Sequence, residues 1–376
     1  MDLTEYRKEF PILQKKIYLN TCSLGALSLR SRRYVQTFLD QWDEYGASAW
    51  YSIWLNECAS VRSLLAQLLN ADESEIALGH SISTLLGSIA SCFSFEDRNE
   101  VIVTELDFPT ANYQWLAKWF NGASITVLHS DNRISIPLER YASAISEKTA
   151  AVSTSSVFFT SGAIQDIAAI NDAARKKGAV CIIDAYQSVG QIPIDIRTMN
   201  IDILLSGGLK WLLGGPGITF ACVRKDLITT LKPTMVGWFG AKNQFAFNAE
   251  YFEPAEEARR FETGTPSVAS VAAFKGGLEI ILEIGVENIR TAASALIEEL
   301  IILLQKYGFE LLITDNPDER AAIVMIKHPN PAAAVSELQK RNIIVDYRKE
   351  YIRVSPYFYN TSEEIETFVE TLQEVT

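Results

Sequence analysis

Short apolar runs alternate with amphipathic stretches over the first part of the chain. The apolar runs have the length and composition of buried strands, and they occupy residues 75–78, 101–104, 124–128, 150–154, 180–183, 203–205 and 218–223. Between several of these runs apolar residues recur at helical spacing, as over 166–177. Strands that alternate with helices predict a mostly parallel, doubly wound sheet. In such sheets, ligands bind beyond the carboxyl ends of the strands.

The pattern changes after residue 265. Long helical periodicity is followed by short strands and further helices, with predicted elements at 267–307, 321–326, 331–340, 343–347, 352–354 and 361–372. This order is typical of a smaller α+β unit. We therefore expect an α/β protein with a large domain over 15–265. The small domain should comprise 266–376 together with 1–14.

Two polar residues directly follow predicted strands. Lys210 lies in an apolar run with Gly207, Gly208 and Gly214 close by. Burial penalises a charged amine, so the pKa of Lys210 should fall and the neutral amine should become available for a Schiff base; a lysine whose head group reaches solvent is the alternative. Asp184 ends the strand at 180–183, where a carboxylate could pair with a pyridinium nitrogen or simply cap the next helix.

Composition narrows the class of partner. Hydrophobic residues make up 48% of the chain and charged residues 21%, as in a packed globular protein. The net charge of -12 argues against nucleic acid or an anionic membrane as the main partner. The five cysteines and three histidines are scattered without ligand spacing, and no apolar run reaches membrane-spanning length. We expect a cytoplasmic protein with no metal site.

Two further segments leave alternatives open. Gly214-Gly-Pro-Gly217 lacks the GxGxxG order, contains proline and precedes a strand, so it does not predict a dinucleotide site. The Ser- and Thr-rich segment 79–84 precedes an apolar helix, and it could bind phosphate or only cap that helix. Arg353 lies in an apolar strand and could bind a carboxylate or form a structural ion pair.

Four segments together resemble the class V branch of the fold-type I pyridoxal phosphate enzymes. They are Asp184-Ala-Tyr-Gln187, Ser206-Gly-Gly-Leu-Lys-Trp-Leu212, Arg260-Phe-Glu-Thr-Gly-Thr-Pro266 and Ile352-Arg-Val-Ser-Pro followed by Phe-Tyr-Asn360. That group includes cysteine desulfurases, selenocysteine lyases, kynureninases, isopenicillin N epimerase and some aminotransferases. The resemblance spans nearly the whole chain, and it implies a seven-stranded large-domain sheet and pyridoxal 5'-phosphate as the cofactor.

The resemblance also implies which residues hold the cofactor. Lys210 would bind it covalently and later move protons, while Asp184 would pair with the pyridine nitrogen. Gln187 would reach the ring hydroxyl or the Schiff base, and Phe108 would stack on the ring.

The phosphate would be held by residues from separate segments. Ile82 and Ser83 would contact it, with Ser206 as a further candidate. Thr265 would reach the phosphate of the neighbouring subunit, which implies a homodimer with active sites at the subunit interface.

For the substrate, the resemblance implies that Arg353 binds the α-carboxylate of an amino acid. Asn20 and Trp238 are weaker candidates for the same pocket. His80 would lie near the ring or be an ordinary loop histidine.

The departures from the family pattern limit the activity. Relatives often carry His or Tyr where this chain has Leu209, and cysteine desulfurases carry a catalytic cysteine in a loop that here, over 345–352, has none. We therefore expect lyase or aminotransferase chemistry on a small amino acid, without a persulfide. An epimerase or racemase like isopenicillin N epimerase stays open. So does a kynureninase-like hydrolase, which residues 237–240 favour and Leu209 and Ala111 disfavour, and so does a non-catalytic member of the fold.

Overall fold

The computed structural model describes residues 3–375. Its strands are β1 (Ile17–Tyr18), β2 (Ile76–Gly79), β3 (Glu100–Thr104), β4 (Ser124–Leu128), β5 (Thr149–Ser155), β6 (Val180–Asp184), β7 (Ile203–Gly207), β8 (Thr219–Val223), β9 (Leu311–Leu312), β10 (Val324–Lys327), β11 (Ile343–Ile344), β12 (Asp346–Arg348) and β13 (Tyr351–Val354). Its α-helices are α1 (Thr4–Arg7), α2 (Leu29–Tyr45), α3 (Leu55–Leu69), α4 (Ile82–Ala90), α5 (Pro109–Leu116), α6 (Leu138–Ala144), α7 (Ile167–Lys176), α8 (Lys225–Thr230), α9 (Val268–Ile284), α10 (Val286–Lys306), α11 (Pro331–Lys340) and α12 (Ser362–Glu374).

A seven-stranded sheet in the order β2-β8-β7-β6-β5-β3-β4 forms the centre of the molecule. Strands β3 to β7 pair in parallel, and only β8 runs antiparallel to its neighbours β7 and β2. A parallel neighbour needs a long crossover connection, whereas β8 returns directly through the short lysine loop, 208–218. The expected mostly parallel, doubly wound sheet is confirmed.

Alternate residues of the central strands enter two different cores. In β7, Ile203 and Leu205 pack on one face with α4 and α5, while Leu204 packs on the other face with α3, α7 and α9. Each fully buried aliphatic side chain contributes about 1.5–3 kcal/mol, so the two covered faces fix the register of the sheet. The carboxyl ends of β3, β5, β6 and β7 therefore meet at one edge, where the candidate site lies.

A second, antiparallel sheet in the order β12-β13-β10-β9 lies in the C-terminal part of the chain. The predicted long helical stretch is two helices, α9 and α10, because the chain turns at Gly285 with φ +82°. Helices α6 and α8 and strand β9 were not predicted. The segment around residue 20 joins the C-terminal part: β1 pairs with β11, and Asn20 bridges Ser355.

The predicted domain boundaries, 15–265 and 266–376 with 1–14, stay a prediction. Residues 1, 2 and 376 of the predicted small domain lie outside the described residues. Helix α9 of that domain packs against α2 and α3 of the predicted large domain. Within residues 3–375, no helix is both long and apolar enough to cross a membrane.

Candidate active site

Lys210 lies at the base of a cavity of about 310 Å³ at the carboxyl edge of the large sheet. Its Nζ atom lies 4.8 Å from the centre of the Tyr186 ring and 5.9 Å from that of Phe108. Burial lowers the pKa of the Lys210 amine to about 8, and the nearby charge of Asp184 only partly opposes this effect. A substantial neutral fraction near physiological pH makes this amine a competent nucleophile.

Asp184, the last residue of β6, lines the same cavity. Its Oδ1 accepts a hydrogen bond of 2.9 Å from the backbone N–H of Tyr186. Burial raises the pKa of Asp184, and neither that hydrogen bond nor the charge of Lys210 fully offsets the effect. The carboxylate is thus largely enclosed by protein and borders the cavity, where a cationic or N–H group would stabilise its charge.

The backbone around Lys210 is close-packed. A Cβ atom at Gly25 would lie 2.1 Å from the carbonyl oxygen of Lys210, so only glycine allows the N-terminal segment to approach the lysine this closely. Leu213, three residues after the lysine, has φ 58° although it is fully packed in the core. Left-handed backbone at a non-glycine residue costs on the order of 1–3 kcal/mol and is concentrated at functional sites.

Phe108 forms one wall of the cavity and is 46% exposed. It precedes Pro109, the first residue of α5, whose ring fixes the start of the helix. The preceding residue, Asp107, is buried and accepts hydrogen bonds from the backbone N–H groups of Thr104 and Ser155. These bonds join the ends of β3 and β5 and thereby orient Phe108 over the cavity.

The N-terminus of α4 forms the opposite end of the cavity. Ser81 caps the helix, and its side chain accepts a hydrogen bond from the backbone N–H of Thr84. The N–H groups of Ile82 and Ser83 belong to the first turn, which has no partners inside its own helix, so they can bind an anion. Ser83 is exposed and lines the cavity with Ile82, and the role of these two residues in phosphate binding stays a prediction.

Gln187 lines the cavity but is mainly held by the protein. Its Nε2 donates to the carbonyl of Cys22 at 3.1 Å, and its Oε1 accepts from Trp211 Nε1 at 2.8 Å. The second Nε2 hydrogen is left for a cavity ligand. Ser206 is 1% exposed, does not line the cavity and donates to the carbonyl of Ala185 at 3.1 Å, so the structure does not bring it to the other predicted phosphate residues.

Arg353, on β13, is 2% exposed and lies behind Phe159. It forms a bidentate ion pair with Asp346 of β12 and also contacts Ser23. Asn20 lies beside this group, since it bridges Ser355 two residues further along the chain. The structure thus brings Arg353 and Asn20 together, next to the lysine cavity.

Three predicted residues lie elsewhere or at the margin. Trp238 is 40% exposed and packs with Phe239, Phe245 and Phe247 around a separate cavity. Thr265 is exposed, and its carbonyl lies 2.9 Å from His80 Nε2. His80 lines the lysine cavity, but this contact also makes it a structural residue.

The sequence analysis missed several residues of the site. Tyr186, Phe159, Asp346 and Ser23 had no predicted role. Tyr186 lies inside the Asp184–Gln187 motif, so it could have been found. The other three are distant in sequence from the lysine, and no local pattern points to them.

Comparisons with known proteins identify the family and the fold. The family model described as Aminotransferase class-V matches residues 52–368. An uncharacterized aminotransferase of Bacillus subtilis, YcbU, is 34% identical, with 96% of this chain and 95% of the relative covered. A kynureninase of Shouchella clausii is 29% identical over 99% of this chain and 91% of its own length.

Solved structures show the same fold at low identity. An apo cysteine desulfurase from Thermococcus onnurineus NA1 superposes with a TM-score of 0.89 at 20% identity, covering 100% of this chain and 98% of its own. The cystine C–S lyase C-DES in complex with cysteine persulfide superposes with a TM-score of 0.89 at 22% identity, covering 97% and 99%. At this identity the likeness concerns the fold.

Proposed function

Since the chain belongs to the class V aminotransferase family of pyridoxal phosphate enzymes, we propose that it acts on a small amino acid through the amine of Lys210. The chemistry is that of a lyase or an aminotransferase. The observation that carries the proposal is the buried Lys210 amine, with its pKa lowered to about 8, in one cavity with the strand-end carboxylate of Asp184.

The protein is a pyridoxal phosphate enzyme, and the cavity fits that cofactor. Within residues 3–375, the Asp184 carboxylate accepts one hydrogen bond, from the backbone N–H of Tyr186. Thr219 Oγ1, in the cavity wall, is buried and has no hydrogen-bond partner within residues 3–375. Unpaired buried polar groups are costly unless a ligand satisfies them. The N-terminus of α4, whose backbone N–H groups can bind a phosphate, also suits the cofactor.

When bound, the cofactor supplies an electron sink for negative charge on the substrate α-carbon. Lys210 would hold it covalently, and the freed neutral amine would take and return the proton at the α-carbon. Asp184 would keep a proton on the ring nitrogen, because its carboxylate needs a hydrogen-bond donor in this enclosed position. Phe108 would cover the ring face, and Ile82 and Ser83 would hold the phosphate.

The substrate is proposed to be a small amino acid whose carboxylate binds Arg353. A cavity of about 310 Å³ is at the lower end of the range for ligand pockets, and the cofactor takes part of it. Phe108, Phe159 and Val157 make its walls largely apolar, which favours a short side chain.

We propose that turnover involves no persulfide. The hairpin formed by β12 and β13 has no cysteine. Cys22, Cys58, Cys181 and Cys222 are buried, and Cys92, which is half-buried, has its thiol pKa raised to about 12 by burial. Such a thiol is a poor nucleophile at neutral pH, because the thiolate is the reactive form.

The proposed active unit is a cytosolic homodimer. Thr265 is exposed beside the cavity, where it could reach the phosphate site of a second subunit. Trp238 and Phe247 are exposed to 40% and 74%, and aromatic surface of this kind is typical of subunit interfaces. The five unpaired cysteines suit a reducing compartment.

The test is to trap the cofactor with borohydride and to identify the modified peptide. Lys210 should be the labelled residue, and the holoprotein should convert members of a small amino-acid panel. Pyruvate and ammonia would indicate elimination, and a new amino acid in the presence of a keto-acid acceptor would indicate transfer. Label on another lysine, or measurable persulfide on any cysteine during turnover, would contradict the proposal.

Kynureninase-like hydrolysis is the second candidate. It is favoured by the coverage of the Shouchella clausii kynureninase, which spans 99% of this chain. Kynurenine therefore belongs in the panel. Cleavage of kynurenine faster than any small amino acid would replace the first proposal.

A further inference from the structure

Arg353 is not a free cation in the described structure. It belongs to a group of four side chains, Ser23, Asp346, Arg348 and Arg353, that we term the arginine cluster. Asp346 and Arg353 are directly opposite each other in the antiparallel pair β12–β13, where side chains interact most strongly. Ser23 reaches the same place from the N-terminal segment that packs on Lys210.

The guanidinium of Arg353 is held by a fork of hydrogen bonds. Nε donates to Asp346 Oδ1 at 2.9 Å, and Nη2 donates to Asp346 Oδ2 at 2.7 Å. Nη2 also donates to Ser23 Oγ at 2.7 Å, while Ser23 Oγ donates to Asp346 Oδ2 at 2.5 Å. A bidentate pair of this geometry fixes the plane of the guanidinium as well as its position.

A count of donors shows which edge is open. A guanidinium has five N–H groups. Those on Nε and Nη2 are taken by Asp346 and Ser23, and Nη1 donates one to the carbonyl of Phe159 at 3.3 Å. One N–H on Nη1 is left. Phe159 lines the Lys210 cavity, so this bond places Nη1 directly behind the cavity wall, although Arg353 itself is not a lining residue.

We infer that Asp346 is a positioning residue for substrate binding. It presents the Nη1–Nη2 edge of Arg353 to the cavity, and the α-carboxylate replaces Ser23 Oγ as the acceptor on Nη2. This inference rests on the proposed function, in which Arg353 binds the substrate carboxylate. The substrate then receives two parallel N–H donors without a rotamer change, so the ordering of a long side chain is complete before binding.

Arg348 lies at the exposed margin of the cluster. Its Nη2 lies 3.1 Å from Asp346 Oδ2, and its side chain is 42% exposed. Because Arg348 is exposed and shares an acceptor that Arg353 already occupies, it contributes little to the orientation of Arg353. It is therefore a suitable control position.

The experiment titrates the holoprotein with matched ligands and follows the cofactor absorbance. Alanine, serine and cysteine are compared with ethylamine, ethanolamine and cysteamine, which lack the carboxylate. Asp346→Asn should raise the half-saturating concentration of the amino acids at least tenfold and that of the amines less than twofold. Arg348→Gln should change both by less than about twofold. The cofactor spectrum and the borohydride label on Lys210 should be unchanged in every variant.

Ser23→Ala provides a second arm if Asp346→Asn does not fold. Since the hydroxyl is displaced by the substrate, its removal should leave amino-acid affinity unchanged or up to about threefold tighter. A tenfold weakening would mean that Ser23 binds the substrate itself, which contradicts the inference. In the apo-protein, NMR should show slow exchange of the Arg353 Nε hydrogen in the wild type and fast exchange in Asp346→Ala.

The outcomes separate this inference from the proposed function. A wild-type holoprotein that responds to no amino acid contradicts the proposed function and this inference together. A wild type that responds, with an Asp346→Asn variant of the same amino-acid affinity, contradicts the inference alone. Equal weakening of amino acids and amines would indicate a general structural role for Asp346 and would also overturn it.

Discussion

Two acid–base pairs beside the same cavity behave in opposite ways. For Lys210 and Asp184, burial prevails: the pKa of the lysine falls to about 8 and that of the aspartate rises. For Asp346, burial alone would raise the pKa, but the hydrogen bonds and charge of Arg353 hold it below its usual value. Burial alone would lower the pKa of Arg353, but the hydrogen bonds and charge of Asp346 raise it.

Direct hydrogen bonding explains the difference. Arg353 and Asp346 share two bonds of 2.7 and 2.9 Å. No such bond joins Lys210 and Asp184 among the described residues, and the cavity adjoins both. The paired groups keep fixed charges suited to recognising a carboxylate. The pKa values of the unpaired groups, Lys210 and Asp184, are shifted towards the neutral forms. The neutral amine is the form that reacts with an aldehyde, and the buried carboxyl group gains most from a ligand that pairs with it.

The largest effect on activity is expected from replacing Lys210, the reactive member of the pair Lys210 and Asp184. Lys210→Met should abolish borohydride labelling and lower kcat by about 10³-fold or more, because both the nucleophile and the proton carrier are lost. The free energy of unfolding of the apo-protein at pH 7 should rise by about 1–3 kcal/mol, since each pKa unit corresponds to about 1.4 kcal/mol. Urea denaturation checks the second part. A less stable apo-protein would show that Lys210 is paired after all.

Removing one carboxylate from each pair tests the comparison directly. Asp346→Ala should destabilise the apo-protein by about 2–4 kcal/mol, because it leaves the buried charge of Arg353 without a partner. The loss is smaller than for a fully buried pair because Asp346 is partly accessible to solvent. Asp184→Asn should leave the stability unchanged or higher, because it removes a carboxylate that burial disfavours. Both are measured by urea denaturation of apo-protein at pH 7. Equal losses in the two variants would refute the distinction.

The pH dependence of cofactor attachment sharpens the same point. The pKa of Lys210 is lowered from 10.5 to about 8 in the folded protein. Attachment to the apo-protein should therefore slow about tenfold per pH unit below 8 and level off above it. The folding penalty of this lysine is fully present below pH 8 and disappears as the pH rises towards 10.5. Stopped reactions between pH 6.5 and 9.5 measure the rate, and a flat profile below pH 8 would contradict the shift.

The smallest effect on stability is expected at Arg348, which lies at the exposed margin of the Arg353–Asp346 pair. Arg348→Gln should change the free energy of unfolding by less than about 0.5 kcal/mol, because an ion pair exposed to solvent contributes little. Thermal unfolding in low and high salt is the measurement. A loss comparable to that of Asp346→Ala would mean that Arg348, too, is a fixed member of the buried pair.

Residues whose positions depend on the local sequence pattern could be placed at the edge of the sheet from the sequence alone. Lys210 and Asp184 follow apolar strands, and the carboxyl ends of parallel strands meet at one edge. The same rule could have excluded Ser206 from the cavity, because β7 alternates its faces and Ser206 shares the direction of Leu204.

Groups that depend on distant segments could not be found in this way. Asp346 and Arg353 meet through the register of a short hairpin, and Ser23 joins them from 330 residues away. The antiparallel direction of β8 also escaped prediction, since an apolar run does not reveal its direction. Trp238 shares a segment with other aromatic residues, and their mutual packing decides where it lies.

The close approach of Gly25 to Lys210 affects how the protein matures during synthesis. The segment that carries Gly25 is held by the pairing of β1 with β11 and of Asn20 with Ser355. A ribosome makes the lysine long before it makes Ser355. Until that residue emerges, we expect the lysine amine to stay hydrated and largely protonated, so that it reacts only slowly with free aldehyde. Efficient uptake of the vitamin B6 cofactor should therefore begin late, when translation of the C-terminal sheet is complete.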